Sequence, residues 1–116
     1  MSRPSQVVVL VEDGRHQRLV RKYLYELGHS PHDIRLEPLP SGRGCGEKWV
    51  RERYARAVKA YRGRSVRAKT ALIVAIDADT GDVDRRLRQL REALEQAGLE
   101  ARTDREVIVH LIPKRS

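Results

Sequence analysis

Ala71 to Asp79, ALIVAIDAD, is an apolar run that ends in two acids, and it restricts the fold more than any other stretch. Leu72, Ile73, Val74 and Ile76 leave no polar position between them to face water. The run therefore predicts a strand covered on both sides, the central strand of a parallel sheet. Open α/β sheets place their ligands beyond the carboxyl ends of the strands, which is where Asp77 and Asp79 fall. Two carboxylates one residue apart at a strand exit can face one crevice and share a hard cation.

The remaining elements follow from periodicity. Gln6 to Val11, QVVVLV, is β-branched and continuous and predicts a second buried strand, ending in Glu12, Asp13 and Gly14. From Arg15 to Leu27, Val20, Leu24 and Leu27, with Leu19 and Tyr23 beside them, recur at helical spacing and predict one buried stripe, closed by Gly28 in a left-handed cap. Ile34 to Leu39 alternates as a short strand that Pro38 pushes toward the sheet edge. Ser41 to Gly46 then carries three glycines. It reads as a plain connection, or as a loop closing over a phosphate with its amides and Arg43.

Glu47 to Arg62 predicts a second helix with Val50, Tyr54, Ala57, Val58 and Tyr61 inward and Gly63 as its stop. Trp49 reads as a core-edge filler. A third helix is expected from Asp82 to Ala97, with Val83, Leu87, Leu90, Leu94 and Ala97 on one face, Asp82 as N-cap and Gly98 as terminator. Val107 to Ile112 is the last strand. The order β-α-β-α-β-α-β, with crossovers long enough for parallel pairing, predicts a three-layer Rossmann-like α/β fold: a four-stranded, mainly parallel sheet with helices on both faces.

At 116 residues the chain is expected to form a single domain, 1–116. Its mean hydropathy of −0.61 is that of a soluble globular protein. There is no run of roughly 18 apolar residues, as a membrane span needs, and MSRPSQ lacks the apolar segment of a secretory signal. One cysteine, Cys45, leaves no internal disulfide or multi-Cys metal knuckle, so a cytoplasmic location is expected. The net charge of +8 and pI near 10.2 suggest a polyanionic partner. The plainer reading is that the arginines solvate the surface. Arg51, Arg56, Lys59, Arg62, Arg64 and Arg67, with Arg43, are the expected nucleic-acid contacts.

In the predicted topology Glu12, Asp77, Asp79 and Lys114 converge at one sheet edge although they are distant in sequence. Two or three carboxylates suit Mg²⁺ or Mn²⁺, which take oxygen ligands and keep several waters. A further carboxylate can move protons, and Lys114 can stabilise charge developing on a phosphate. His16, His29, His32 and His110 show no zinc-ligand spacing. His110 alternates within its strand and reads as a packed or surface residue.

The segments VVVLVEDG and IVAIDADTGD, a strand ending in Glu before Gly and a helix, then a strand ending in Asp-x-Asp, resemble TOPRIM domains. The similarity runs over nearly the whole chain and is greatest to the compact TOPRIM domains of OLD-like nucleases and bacterial defence proteins. It implies that Glu12 is a general acid/base or metal ligand and that Asp77 and Asp79 bind Mg²⁺. Thr80-Gly81-Asp82 stands where topoisomerases and primases have Arg-Glu-Gly, which argues against those branches. In similar chains a Pro-Lys-Arg ending like residues 113–115 is followed by a further acidic and aromatic segment.

A rival resemblance is to the response-regulator receiver, whose opening is similar to VVVLVEDGRHQRLVRKYLYELGHS. It implies a phosphoryl group on Asp77 with Lys114 as partner, and a fifth strand between them. The expected function is Mg²⁺-dependent hydrolysis of phosphodiester bonds in DNA or RNA, with phage defence as one setting. The other class is a noncatalytic module that binds nucleic acid or docks a protein partner in a defence assembly; a homo-oligomer is compatible with either.

Overall fold

The computed structural model describes residues 6–12, 14–38, 46–66, 69–76 and 82–112, the side chains of 46–49 excepted. Four strands form one parallel sheet: β1 (Gln6–Val11), β2 (Ile34–Leu36), β3 (Thr70–Ala75) and β4 (Ile108–Leu111), in the spatial order β2-β1-β3-β4. The helices α1 (Gly14–Glu26), α2 (Gly46–Ser65) and α3 (Val83–Gln96) connect them, with a single 3₁₀ turn, Pro31–Asp33, before β2. The α/β class and strand succession read from the sequence are those observed.

Alternation along the strands sorts the core into two layers. Val7, Val9, Val11, Ala71, Ile73 and Ala75 face α1, where they bury Val20 and Leu24. Val8, Leu10, Leu72, Val74, Ile76 and Ile108 face the other way, against Val50, Tyr54, Val58 and Tyr61 of α2 and Leu90 and Leu94 of α3. All six residues of β3 are buried, as a strand covered on both faces must be. Each fully buried Val, Leu or Ile contributes about 1.5–3 kcal/mol relative to exposure.

The chain moves from β1 outward to β2, then crosses back beyond β1 to β3 and on to β4. The reversal explains why α1 covers one face and α2 and α3 the other: crossovers of one hand that run in opposite directions must use opposite faces. The direction switches between β1 and β3, and the carboxyl ends of strands at such a switch are where open α/β sheets bind ligands.

Several local expectations are corrected. β2 stops at Leu36, three residues before the expected end, although it is an edge strand as Pro38 suggested. α2 runs through Gly63 to Ser65 rather than stopping there. A glycine lowers helix stability without ending a helix whose buried stripe holds it down. Leu19, Tyr23 and Leu27 are each about half exposed rather than part of the buried stripe of α1. Among the described residues that helix covers its face of the sheet alone, and its central row, Val20 and Leu24, is what the sheet buries. Gly28 and Gly98 do close α1 and α3 with positive φ, of 95° and 74°. In both, the following amide bonds back to a leucine carbonyl, His29 to Leu24 at 3.0 Å and Leu99 to Leu94 at 2.9 Å. No helix among the described residues is long and apolar enough to cross a membrane.

Candidate functional site

The register fixes which residues reach the carboxyl edge of the sheet together. Val11 pairs with Ala75, and Ala75 with Leu111; one further rung joins the Ile76 amide to the Leu111 carbonyl at 2.9 Å. Glu12 is thus level with Ile76, the residue that precedes Asp77 in the sequence. It occupies the switch point between β1 and β3, with α1 starting two residues later. The amino ends of α1 and α3 both follow strands that exit at this edge, and their unpaired amides favour negative charge.

Glu12 is not open to solvent. Its side chain is 9% exposed, and its Oε1 accepts a hydrogen bond from Nη2 of Arg86, which is 4% exposed. Arg86 lies in the first turn of α3. Its long side chain carries a guanidinium from the α3 layer to the end of β1, 74 residues away in sequence. A buried carboxylate is costly unless it is paired and hydrogen-bonded, and Arg86 meets that need.

Arg86 was not singled out by sequence reading. A signal was present, because Arg86 stands one helical step ahead of Leu90 and Leu94 and in line with that buried row. A charge in a buried row is a candidate for a paired role. Asp82 takes the N-cap position of α3, as expected, but its side chain caps no backbone amide. Its Oδ1 instead accepts from Nε of Arg85 at 3.4 Å.

Of the three acids expected to hold a cation, Glu12 is at this edge in the structure, and its carboxylate is of the oxygen-donor type that hard cations take. Asp77, Asp79, Lys114, Arg43 and Arg67 lie outside the described residues, as do the rest of 41–45, the segment considered for phosphate binding, and Cys45 within it. The side chain of Trp49 does too. Among the described residues no three His, Cys, Asp or Glu side chains gather as a metal site.

The expected nucleic-acid contacts on α2 divide in two. Arg51, Arg56 and Lys59 are exposed and Arg64 is half-buried. Arg51 lines a groove between α2 and α3 that also holds Glu52 and Glu92. Arg62 is engaged within the fold: its Nε donates to Glu106 at 2.7 Å and its Nη2 to the Ala101 carbonyl at 3.2 Å. The hydrogen bond from Arg62 holds the Glu106 carboxyl below its usual range, and burial opposes that shift.

His110 is a packed residue, as its alternation suggested, but it has a specific partner. Its Nε2 lies 2.8 Å from the Tyr54 hydroxyl. Burial, reinforced by the charge of Arg102, pulls the imidazole down to about 4. Burial pushes the Tyr54 phenol up to about 12, against the pull of Arg102 and Arg62. The pair is therefore uncharged at neutral pH. Set beside family models, curated proteins and solved structures, the chain matches none of them.

Proposed function

We propose that this chain is a TOPRIM-like domain that hydrolyses phosphodiester bonds in DNA or RNA with Mg²⁺ or Mn²⁺. The observation that carries the reading is the seat of Glu12: a carboxylate at the switch point of a parallel sheet, level with the residue that precedes the Asp77-Ala-Asp79 segment. The strand pattern supports it over a receiver, because residues 82–107 hold one helix and no strand. A receiver needs a strand there.

In this reading Glu12, Asp77 and Asp79 would hold the cation, which supplies Lewis-acid polarisation of a phosphoryl oxygen. Glu12 also accepts a proton from water, with Arg86 fixing its orientation. Arg86 holds the carboxylate pointed along one direction. Arg51, Arg56 and Lys59 contact the phosphate backbone from the exposed side of α2, and Lys114 would stabilise charge developing on the phosphate under attack. The single cysteine and the basic surface fit a cytoplasmic protein acting on nucleic acid.

The Glu12–Arg86 pair also favours a second reading. A carboxylate already neutralised by a buried guanidinium suits a noncatalytic module that binds nucleic acid or a defence-assembly partner. A cleavage assay on labelled DNA and RNA separates the two, run with Mg²⁺, Mn²⁺ or EDTA on the native chain, Glu12→Ala and Asp77→Ala. Cleavage by the native chain alone, and only with metal, supports the nuclease. Binding without cleavage by all three supports the module, and equal cleavage by all three rejects both.

A further inference from the structure

Away from Glu12, a cleft of about 400 Å³ opens between α3, β4 and the connection that joins them. Its walls carry Arg88 and Arg91 of α3 and Arg102 of the connection, and its floor is the Tyr54–His110 pair. We propose that this cleft binds the phosphate monoester of a nucleotide, with the three guanidiniums on the phosphate.

Charge is the first argument. Arg88 and Arg91 are three residues apart and are neighbours on one helix face, where like charges repel. No carboxylate among the described residues forms an ion pair with either of them or with Arg102. A guanidinium presents two parallel donors to phosphate oxygens, so an anion in the cleft relieves the repulsion with directed bonds.

Second, the backbone on either side of Arg102 is held in place. Arg62 donates to the carbonyl of Ala101 at 3.2 Å, and the amide of Thr103 donates to Glu106 at 3.0 Å. Arg62 and Glu106 are themselves paired at 2.7 Å. The backbone on both sides of Arg102 is thus tied to α2, which places its exposed side chain at the cleft wall.

Size and polarity select the ligand class. The volume falls in the range of about 300–1,000 Å³ typical of small-molecule sites and exceeds what a bare phosphate needs. Asp84 also lines the cleft; its carboxylate repels a free anion but accepts hydrogen bonds from ribose hydroxyls. Leu87 gives an apolar surface beside it. The floor stays uncharged because burial keeps His110 neutral, so the positive field comes from the arginines.

The test is calorimetric titration of the full chain in EDTA with adenosine 5′-monophosphate, adenosine, and oligonucleotides with a 5′-phosphate or a 5′-hydroxyl. The phosphate should tighten binding by about tenfold in each pair, as charge-assisted bonds of this kind do. Arg88→Gln and Arg102→Gln should each remove most of that gain, Arg102→Lys part of it, and Arg18→Gln on α1 none. Asp77→Ala, which leaves the Glu12–Arg86 pair intact, should bind the monophosphate as the native chain does, which separates this site from the proposed catalytic edge. Tighter binding of the free nucleotide, or of the phosphorylated strand, supports the site and names its source. Equal affinity with and without the phosphate, or unchanged affinity in both glutamine variants, overturns it.

Discussion

Arg86 of α3 donates to Glu12 at the end of β1, and both side chains are almost fully buried. The acid that gives this fold its candidate chemistry is therefore also part of what joins α3 to the sheet. Breaking such a pair on one side leaves an uncompensated charge, at a cost of about 3–5 kcal/mol. Glu12→Gln and Arg86→Met should each lower the unfolding free energy by that order, and the double variant by less than their sum. Urea denaturation of the four chains gives the coupling energy; additive losses would mean that the two groups do not depend on each other.

Two glycines should respond in opposite directions. Gly63 lies inside α2, and a Cβ built there meets nothing within 4 Å. Gly63→Ala should stabilise by roughly 0.5–1 kcal/mol through helix propensity alone. Gly98 is also open to a Cβ, but its φ of 74° is left-handed. Gly98→Ala should cost about 1 kcal/mol in backbone strain. Thermal melts of both variants check the pair, and a shared sign would refute it.

Acid should weaken the fold through His110. Its folded value is about 4, against about 6.5 for an unperturbed imidazole. Between those values the unfolded chain binds a proton that the folded chain does not. Stability is full above the upper value, falls as pH drops through the window, and is lost at the lower one, by up to roughly 3 kcal/mol. His110→Asn, which can still bond to Tyr54, should flatten that part of the curve. Glu106, with its carboxyl lowered by Arg62, adds its own loss only below the usual carboxylate range. Melting temperature against pH for the native chain and the Asn variant is the measurement.

Nucleic-acid affinity should fall steeply with salt, and Arg56→Gln and Lys59→Gln should each reduce the slope by roughly one counterion at most. Arg62→Gln should behave differently, losing about 1–2 kcal/mol of stability because it breaks hydrogen bonds to a charged partner. Filter binding across a salt series, paired with melts, distinguishes these outcomes. Affinity that ignores salt would remove the phosphate backbone from the account.

Periodicity is a local property, and the sequence by itself determined what local patterns can determine. QVVVLV and ALIVAI form buried strands because they offer no polar face. Gly28 and Gly98 end their helices because the chain needs a positive φ there. The four strands and three helices, and the position of Glu12 at a strand exit, were legible for the same reason.

What only the tertiary structure decided is who meets whom across long separations. Arg86 reaches Glu12 over 74 residues, and Tyr54 reaches His110 over 56. Nothing in either segment's own pattern names its partner; the pairing exists because α2 and α3 pack together on one face of the sheet, within side-chain reach of the β1 exit and of β4. Packing also decided that Leu19, Tyr23 and Leu27 stay half exposed. An apolar stripe is buried only as far as another element covers it, and among the described residues α1 is the only helix packed against that buried layer.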